Sequence, residues 1–278
     1  MRLSISNIAW DTAEDEEIAD LLQGVGVDVI DIAPGKYFPV PADAKIQDIS
    51  KVKNWWAERG IEITGLQALL FGTTGLNVFA GTQSQTSLLN HLAEVCRVGA
   101  GLGATRIVFG SPKNRDRSGL SDQEALDVAI PFFRRLGDIA QSFGVNICLE
   151  PNPASYGANF MTTSVQTVEV VREVAHPSIG MQLDTGALTM NGEDVFEVLQ
   201  SMSGLIGHVH ISEPNLLPVG DGATDHKKMA QAIRQYLPNH VVTVEMVATA
   251  HESHALSVAR ALGVAIQYYR PEGQRGRV

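Results

Sequence analysis

Residues 146–184 read NICLEPNPASYGANFMTTSVQTVEVVREVAHPSIGMQLD. Asn146–Glu150 has the length and apolar content of a buried strand, and the Pro-Asn-Pro that follows stops it. Val165–Val174 repeats apolar residues at helical spacing, and Ile179–Asp184 returns to a strand pattern. One strand–helix–strand unit is written in this stretch, with a carboxylate, Glu150 or Asp184, at the end of each strand.

The same alternation extends to both ends of the chain. Strands are predicted at Arg2–Asn7, Asp28–Ala33, Glu62–Gln67, Arg106–Phe109, Gly207–Ile211 and Val241–Glu245. Between them lie amphipathic stretches at Glu14–Leu22, Asp48–Arg59, Ser87–Gly99, Gln123–Phe143, Asp194–Met202, Asp225–Tyr236 and His251–Leu262. Eight strand–helix units of roughly 31 residues each suit an α/β protein built as a single-domain (β/α)₈ TIM barrel over residues 1–270. A doubly wound open sheet shares the alternation, but it usually carries a Gly-rich loop after its first strand. Here that loop reads Asn7-Ile-Ala-Trp-Asp11. Residues 271–278, rich in Gly and Arg, read as a flexible C-terminal tail.

The chain has 278 residues, 44% of them hydrophobic and 19% charged, a balance that excludes disorder and fibrous repeats. No apolar run is long enough to span a bilayer, and the acidic N-terminus does not read as a signal peptide. The formal charge of −10 argues against nucleic acid or an anionic membrane as partner. Two cysteines, Cys96 and Cys148, leave no disulfide framework, so a cytoplasmic location is expected. Cys148, two residues before Glu150, reads as a packed, unreactive thiol in the barrel interior.

In a barrel of this kind the reacting groups gather at the C-terminal ends of the strands. The last four strand ends carry Glu150, Asp184, His210 and Glu245, each about one unit from the next. In equivalent register their side chains converge near the barrel axis. Three carboxylates and one imidazole at one point repel one another unless a cation joins them, so one divalent metal ion is expected. Oxygen-rich ligation with one nitrogen suits Mn²⁺ first, with Mg²⁺, Co²⁺ and Zn²⁺ as alternatives.

Four segments carry a family resemblance: Cys148-Leu-Glu-Pro-Asn-Pro153, Met181-Gln-Leu-Asp-Thr-Gly-Ala187, Gly207-His-Val-His-Ile-Ser-Glu213 and Val244-Glu-Met246. Together they resemble the xylose-isomerase-like barrel superfamily, which includes ketose 3-epimerases, hydroxypyruvate isomerase, inosose-processing enzymes and, more distantly, endonuclease IV. The resemblance implies that Glu150 and Glu245 bind the metal and also exchange protons with the substrate. It implies that Asp184 and His210 complete the metal site, His210 being the second histidine of the family's H-x-H pair. His208 then sits one layer deeper as a hydrogen-bonded core histidine. Homodimers and homotetramers are common in that family.

The sequence also departs from the ketose epimerases. They place a histidine three residues after the metal aspartate, where this chain has Ala187. Where they place an arginine six residues after the metal histidine, it has Leu216, and a family glutamate is replaced by Tyr156. Tyr156 is therefore a candidate substrate contact. Other candidates lie on loops at the predicted mouth. Lys36, Lys113, Arg115 and Arg117 offer donors for a phosphate or carboxylate, and Trp10 offers a face for a sugar. Phe71 and Asn77 lie in a possible cover loop whose Gly72, Gly75 and Gly81 permit movement. Glu213 is within reach of a substrate hydroxyl, and Asp31 and Gln67 are further polar candidates. Trp55 and Trp56, on a helix, read as packing.

These readings lead to a metal-dependent isomerase or epimerase acting on a small carbohydrate or polyol, free or phosphorylated. A cation stabilises the enediolate while two carboxylates move the proton. An inosose-type dehydratase would use the same site to expel a hydroxyl. An endonuclease IV-like phosphodiesterase would need many more ligands on the first four strands, whereas the chain has eight histidines and none ends those strands. A sugar-binding barrel without turnover is the remaining alternative.

Overall fold

A computed structural model of the protein describes residues 1–270. Eight strands close into one parallel barrel in chain order, β8 pairing back onto β1. They are β1 (Arg2–Ser6), β2 (Val29–Ile32), β3 (Glu62–Leu66), β4 (Arg106–Phe109), β5 (Asn146–Leu149), β6 (Ile179–Asp184), β7 (Ile206–Ser212) and β8 (Val241–Glu245). The helices are α1 (Asp15–Gly24), α2 (Ile46–Ala57), α3 (Gly81–Leu102), α4 (Asp122–Ser142), α5 (Ser164–Val174), α6 (Thr185–Asn191), α7 (Val195–Met202), α8 (His226–Tyr236) and α9 (His254–Tyr269). This is the TIM barrel that the alternation predicts. The tail expected at 271–278 lies outside the described residues.

Strands alternate the faces they present, and here the two faces differ in chemistry. Outward residues form an apolar layer against the helices: Leu66 and Ile107 abut Gly99 of α3, and Phe109 meets Phe133 of α4 edge-on at 5.5 Å. The barrel interior is polar instead. Ser4, Ser6, Asp31, Gln182, His208, His210 and Thr243 are all fully buried. Asp31 ties them across the barrel, accepting from Thr243 Oγ1 at 2.8 Å and lying 2.7 Å from His208 Nε2. Branched apolar residues usually fill such an interior. A polar layer here forms a platform beneath whatever stands at the rim.

Trp55, Trp56 and Trp10 stack edge-on outside the barrel, with Trp10 and Trp56 at 6.5 Å and Trp55 and Trp56 at 4.8 Å. Among the described residues no helix is long and apolar enough to cross a membrane.

Phe133 is fully buried and touches both Phe109 and Phe132, so it couples α4 to β4. Phe133→Ala is expected to remove about 3–5 kcal/mol of stability, lowering the denaturant midpoint with an unchanged slope. A loss under about 1 kcal/mol would contradict this packing role.

Candidate metal centre and cleft

The strand register sets the site. Asp184 of β6 pairs with His210 of β7, and Ser212 of β7 pairs with Glu245 of β8. Glu150 follows β5 directly, its N–H donating to the Phe109 carbonyl of β4. The four side chains meet: Glu150, Asp184, His210 and Glu245 bring ligand atoms within 4.8 Å of one another. His210 Nδ1 stands 3.1 Å from Glu245 Oε2 and 3.5 Å from Glu150 Oε1.

Two of the three carboxylates, Asp184 and Glu150, are held from behind. Asp184 caps α6, its Oδ1 accepting from the Ala187 N–H at 2.6 Å while Ser212 Oγ donates to Oδ2 at 2.7 Å. Glu150 Oε2 accepts from Asn152 Nδ2 at 3.2 Å, and Asn152 in turn accepts from the guanidinium of fully buried Arg115. A Cβ at Gly110 would collide with Glu150 Oε2, so glycine there lets the carboxylate lie against the backbone after β4.

The electrostatics follow from crowding. Burial, then the charges of Glu245 and Glu150, push Asp184 up to about 7. Burial opposes the charge of His210, but the neighbouring carboxylates outweigh it and hold the imidazole well above its ordinary value. Burial raises Glu150 as well, yet His210 and then Arg115 outweigh it and leave this carboxyl below its usual value. Protons thus supply the positive charge that the cluster requires. A divalent cation would supply it better, and three carboxylates with one imidazole are a suitable donor set. Among the described residues two further groups gather, Asp31–His208–His210 beneath the site and Asp11–Glu14–His254 at the surface.

A cleft of about 1110 Å³ opens above the quartet. Of the sequence candidates, Lys36, Phe71, Lys113, Tyr156, Glu213 and Gln67 line it. Lys36 Nζ donates to the backbone carbonyls of Asn7 and Trp10, and Lys113 Nζ to that of Thr73 at 3.3 Å. Glu213 is buried, and accepts from the N–H groups of Gly220 and Thr224 at 2.9 Å each, with the His226 ring also at 2.9 Å. It braces the loop after β7.

Trp10 and Arg115 stand away from the cleft. Trp10 is fully buried, donating from its indole to Asp15, which leaves no face for a sugar. Arg115 acts on Asn152 instead of meeting the mouth. Arg117 turns to Asp122 and the Asn159 carbonyl, and Asn77 Nδ2 donates to the Lys113 and Asp116 carbonyls of the loop after β4. Asp31 lies in the buried platform. Burial pushes the thiol of Cys148 up to about 12, in keeping with a packed, unreactive side chain.

Sequence reasoning missed Asn152, Ser212 and Gly110. Asn152 was visible two residues after Glu150, and Ser212 two after His210, at spacings that return side chains to the same face of an extended chain.

The chain belongs to the xylose isomerase-like TIM barrel family, whose profile matches residues 19–264. It is 25% identical over 194 residues to a ketose 3-epimerase from Arthrobacter globiformis, a match covering 67% of this chain and 64% of that one. An inosose dehydratase from Geobacillus thermodenitrificans is 27% identical over 123 residues, or 43% of this chain and 39% of the relative. The chain thus spans less than two thirds of the curated relatives it matches. In fold it resembles D-psicose 3-epimerase from Clostridium cellulolyticum H10, solved with D-tagatose. The TM-score is 0.79 at 17% identity, covering 97% of this chain and 99% of that one.

Because crowding pushes Asp184 up to about 7 and holds His210 above its ordinary value, cation binding is expected to displace protons. Apparent Mn²⁺ affinity is therefore expected to rise with pH through the region of about 7, where Asp184 titrates. Calorimetry in two buffers of different ionisation enthalpy should show at least one proton released per ion. Affinity independent of pH from 6 to 8 (roughly one unit either side) would contradict this electrostatic account.

Proposed function

We propose that the protein is a divalent-metal-dependent isomerase or epimerase that moves a proton beside the carbonyl of a sugar or polyol. The observation that carries this reading is the pair Glu150 and Glu245 facing one another across His210, with Asp184 alongside. Glu150, Asp184, His210 and Glu245 would hold the ion, Mn²⁺ being the best fit. When bound, the ion supplies positive charge beside the substrate carbonyl, where proton removal leaves negative charge.

The chain's own groups do the proton transfer. Glu150, held below its ordinary carboxyl value, is ionised near neutrality and ready to accept a proton. Asn152 and Arg115 fix the direction in which it presents its oxygens. Glu245, across the site, delivers a proton to the other face or receives one from it. Removal from one face and return to the other inverts a carbon centre; return to the neighbouring carbon interconverts aldose and ketose. Ser212 and the Ala187 N–H keep Asp184 turned toward the quartet throughout.

The family and the ketose 3-epimerase relative support this class of chemistry. The inosose dehydratase relative favours one second reading, in which the same proton removal is followed by loss of a β-hydroxyl. A new enone absorbance in the ultraviolet separates the two.

In D₂O, the Mn²⁺-loaded protein is expected to exchange a substrate C–H for deuterium. Glu150→Gln and Glu245→Gln should each lower exchange by about 10²–10⁴-fold, with circular dichroism unchanged. Wild-type exchange rates in both variants would overturn the assignment.

A further inference from the structure

Tyr156 lines the cleft, and no step of the proton transfer described above uses it. It ends the short turn Ala154–Tyr156 after β5, its own N–H donating to the Pro153 carbonyl at 2.9 Å. The side chain is 36% exposed, so a ligand in the cleft can reach it. Ala187 and Leu216 line the same cleft and offer no polar side chain.

A tyrosine hydroxyl can donate one hydrogen bond and accept others. Tyr156 Oη accepts from the Asn215 N–H at 2.7 Å, and among the described residues no acceptor takes its O–H. The backbone is strained to aim that N–H. Asn215 and Leu216 have φ of +61° and +54°, consecutive left-handed values that side chains disfavour. Such strain persists only where the surrounding structure imposes it, and it gathers at functional sites.

Here the imposing structure is the loop after β7. Glu213 clamps that loop by accepting from the Gly220 and Thr224 N–H groups. Behind Glu213 stands His226, whose other ring nitrogen lies 2.8 Å from Tyr269 Oη of α9. A chain of buried groups thus fixes the loop that holds one phenol oxygen. The quartet acts on the same hydroxyl. Burial raises the phenol, the Asn215 N–H opposes it, and the charges of Asp184, Glu245 and Glu150 add to the rise. Near neutrality the hydroxyl therefore keeps its proton, within the field of the three carboxylates.

We propose that Tyr156 donates a hydrogen bond from its hydroxyl to the substrate oxygen on which negative charge gathers during proton transfer. This deepens the proton-transfer reading above and rests on it. A C–H proton passes to a glutamate and its electron pair moves toward the carbonyl oxygen. That oxygen draws the Tyr156 O–H without taking its proton. Return of a proton to carbon restores the carbonyl and relaxes the hydrogen bond. With Asn215 already donating to it, Tyr156 meets the substrate as a donor, so the substrate presents an acceptor oxygen there.

The probe is glycolohydroxamate, whose two adjacent oxygens mimic an enediolate, titrated by calorimetry into the Mn²⁺-loaded full chain. Tyr156→Phe keeps the ring and removes the donor, whereas Tyr156→3-fluorotyrosine keeps the oxygen that Asn215 needs and makes the hydroxyl more acidic. Tyr156→Phe should weaken glycolohydroxamate at least about tenfold. It should lower kcat for D₂O exchange of D-fructose, D-tagatose or scyllo-inosose about 10²–10³-fold, with KM within about threefold of wild type. Tyr156→3-fluorotyrosine should tighten glycolohydroxamate by about twofold. If Tyr156 only braces the loop, Tyr156→Phe weakens glycolohydroxamate and raises KM together, and the fluorinated variant matches wild type. That pattern, or wild-type affinity and exchange in Tyr156→Phe, would overturn the donor and leave proton transfer standing. Selective loss of glycolohydroxamate in Tyr156→Phe, with no wild-type exchange on any of the three compounds, would keep the contact and overturn the proton-transfer reading.

Discussion

Glu150, Asp184 and Glu245 share one small volume with His210, and their mutual repulsion in a buried setting constrains everything near them. Alone, such a cluster would push the loops apart or protonate until its charge vanished. Glu150 and Asp184 are instead pinned by donors from different parts of the chain. Asn152 steadies Glu150 from the next loop, and Ser212 reaches Asp184 from the neighbouring strand. In the first turn of α6 the Ala187 N–H donates to Asp184. Beneath, the Asp31–His208 pair holds the barrel axis polar, so the site rests on buried polar groups instead of an apolar plug.

Much of this was legible in the sequence because a parallel barrel repeats itself. The bounds of β4, β6 and β8 are those the apolar runs predict; Asn7, Asp28, Ala33, Gln67 and Glu150 fall just outside their strands, and β7 gains Ile206 and Ser212. The quartet could be anticipated because equivalent rungs recur about once per unit. What the sequence concealed depended on local conformation. Helix α6 was unanticipated: Thr185–Asn191 is short, holds a glycine and begins only because Asp184 serves as its cap. Helix α3 starts six residues before the periodicity predicts, since its first turns, Thr82-Gln-Ser-Gln-Thr86, show no apolar repeat.

Side-chain destinations were harder still. Lys36, Arg115 and Trp10 have the chemistry of substrate contacts, and the backbone carries all of them near the rim. Lys36 and Arg115 find carbonyl oxygens within the protein, and Trp10 finds Asp15. A loop cation reads the same in sequence whether it meets solvent, ligand or backbone. Ala187, Leu216 and Tyr156 were informative in the opposite sense. They stand where the epimerases carry polar groups, and all three line the cleft. The scaffold is shared with the family, while the wall above the quartet departs from the pattern that the resemblance implies.

The central claim is that the quartet holds one ion. Its most direct test is to load the purified protein with Mn²⁺, desalt it and count metal per chain by mass spectrometry, beside an Asp184→Ala variant. The account predicts about one ion per chain in the wild type and loss of that ion in the variant, with the barrel still folded. No retained ion in the wild type, or the same ion retained without Asp184, would contradict it.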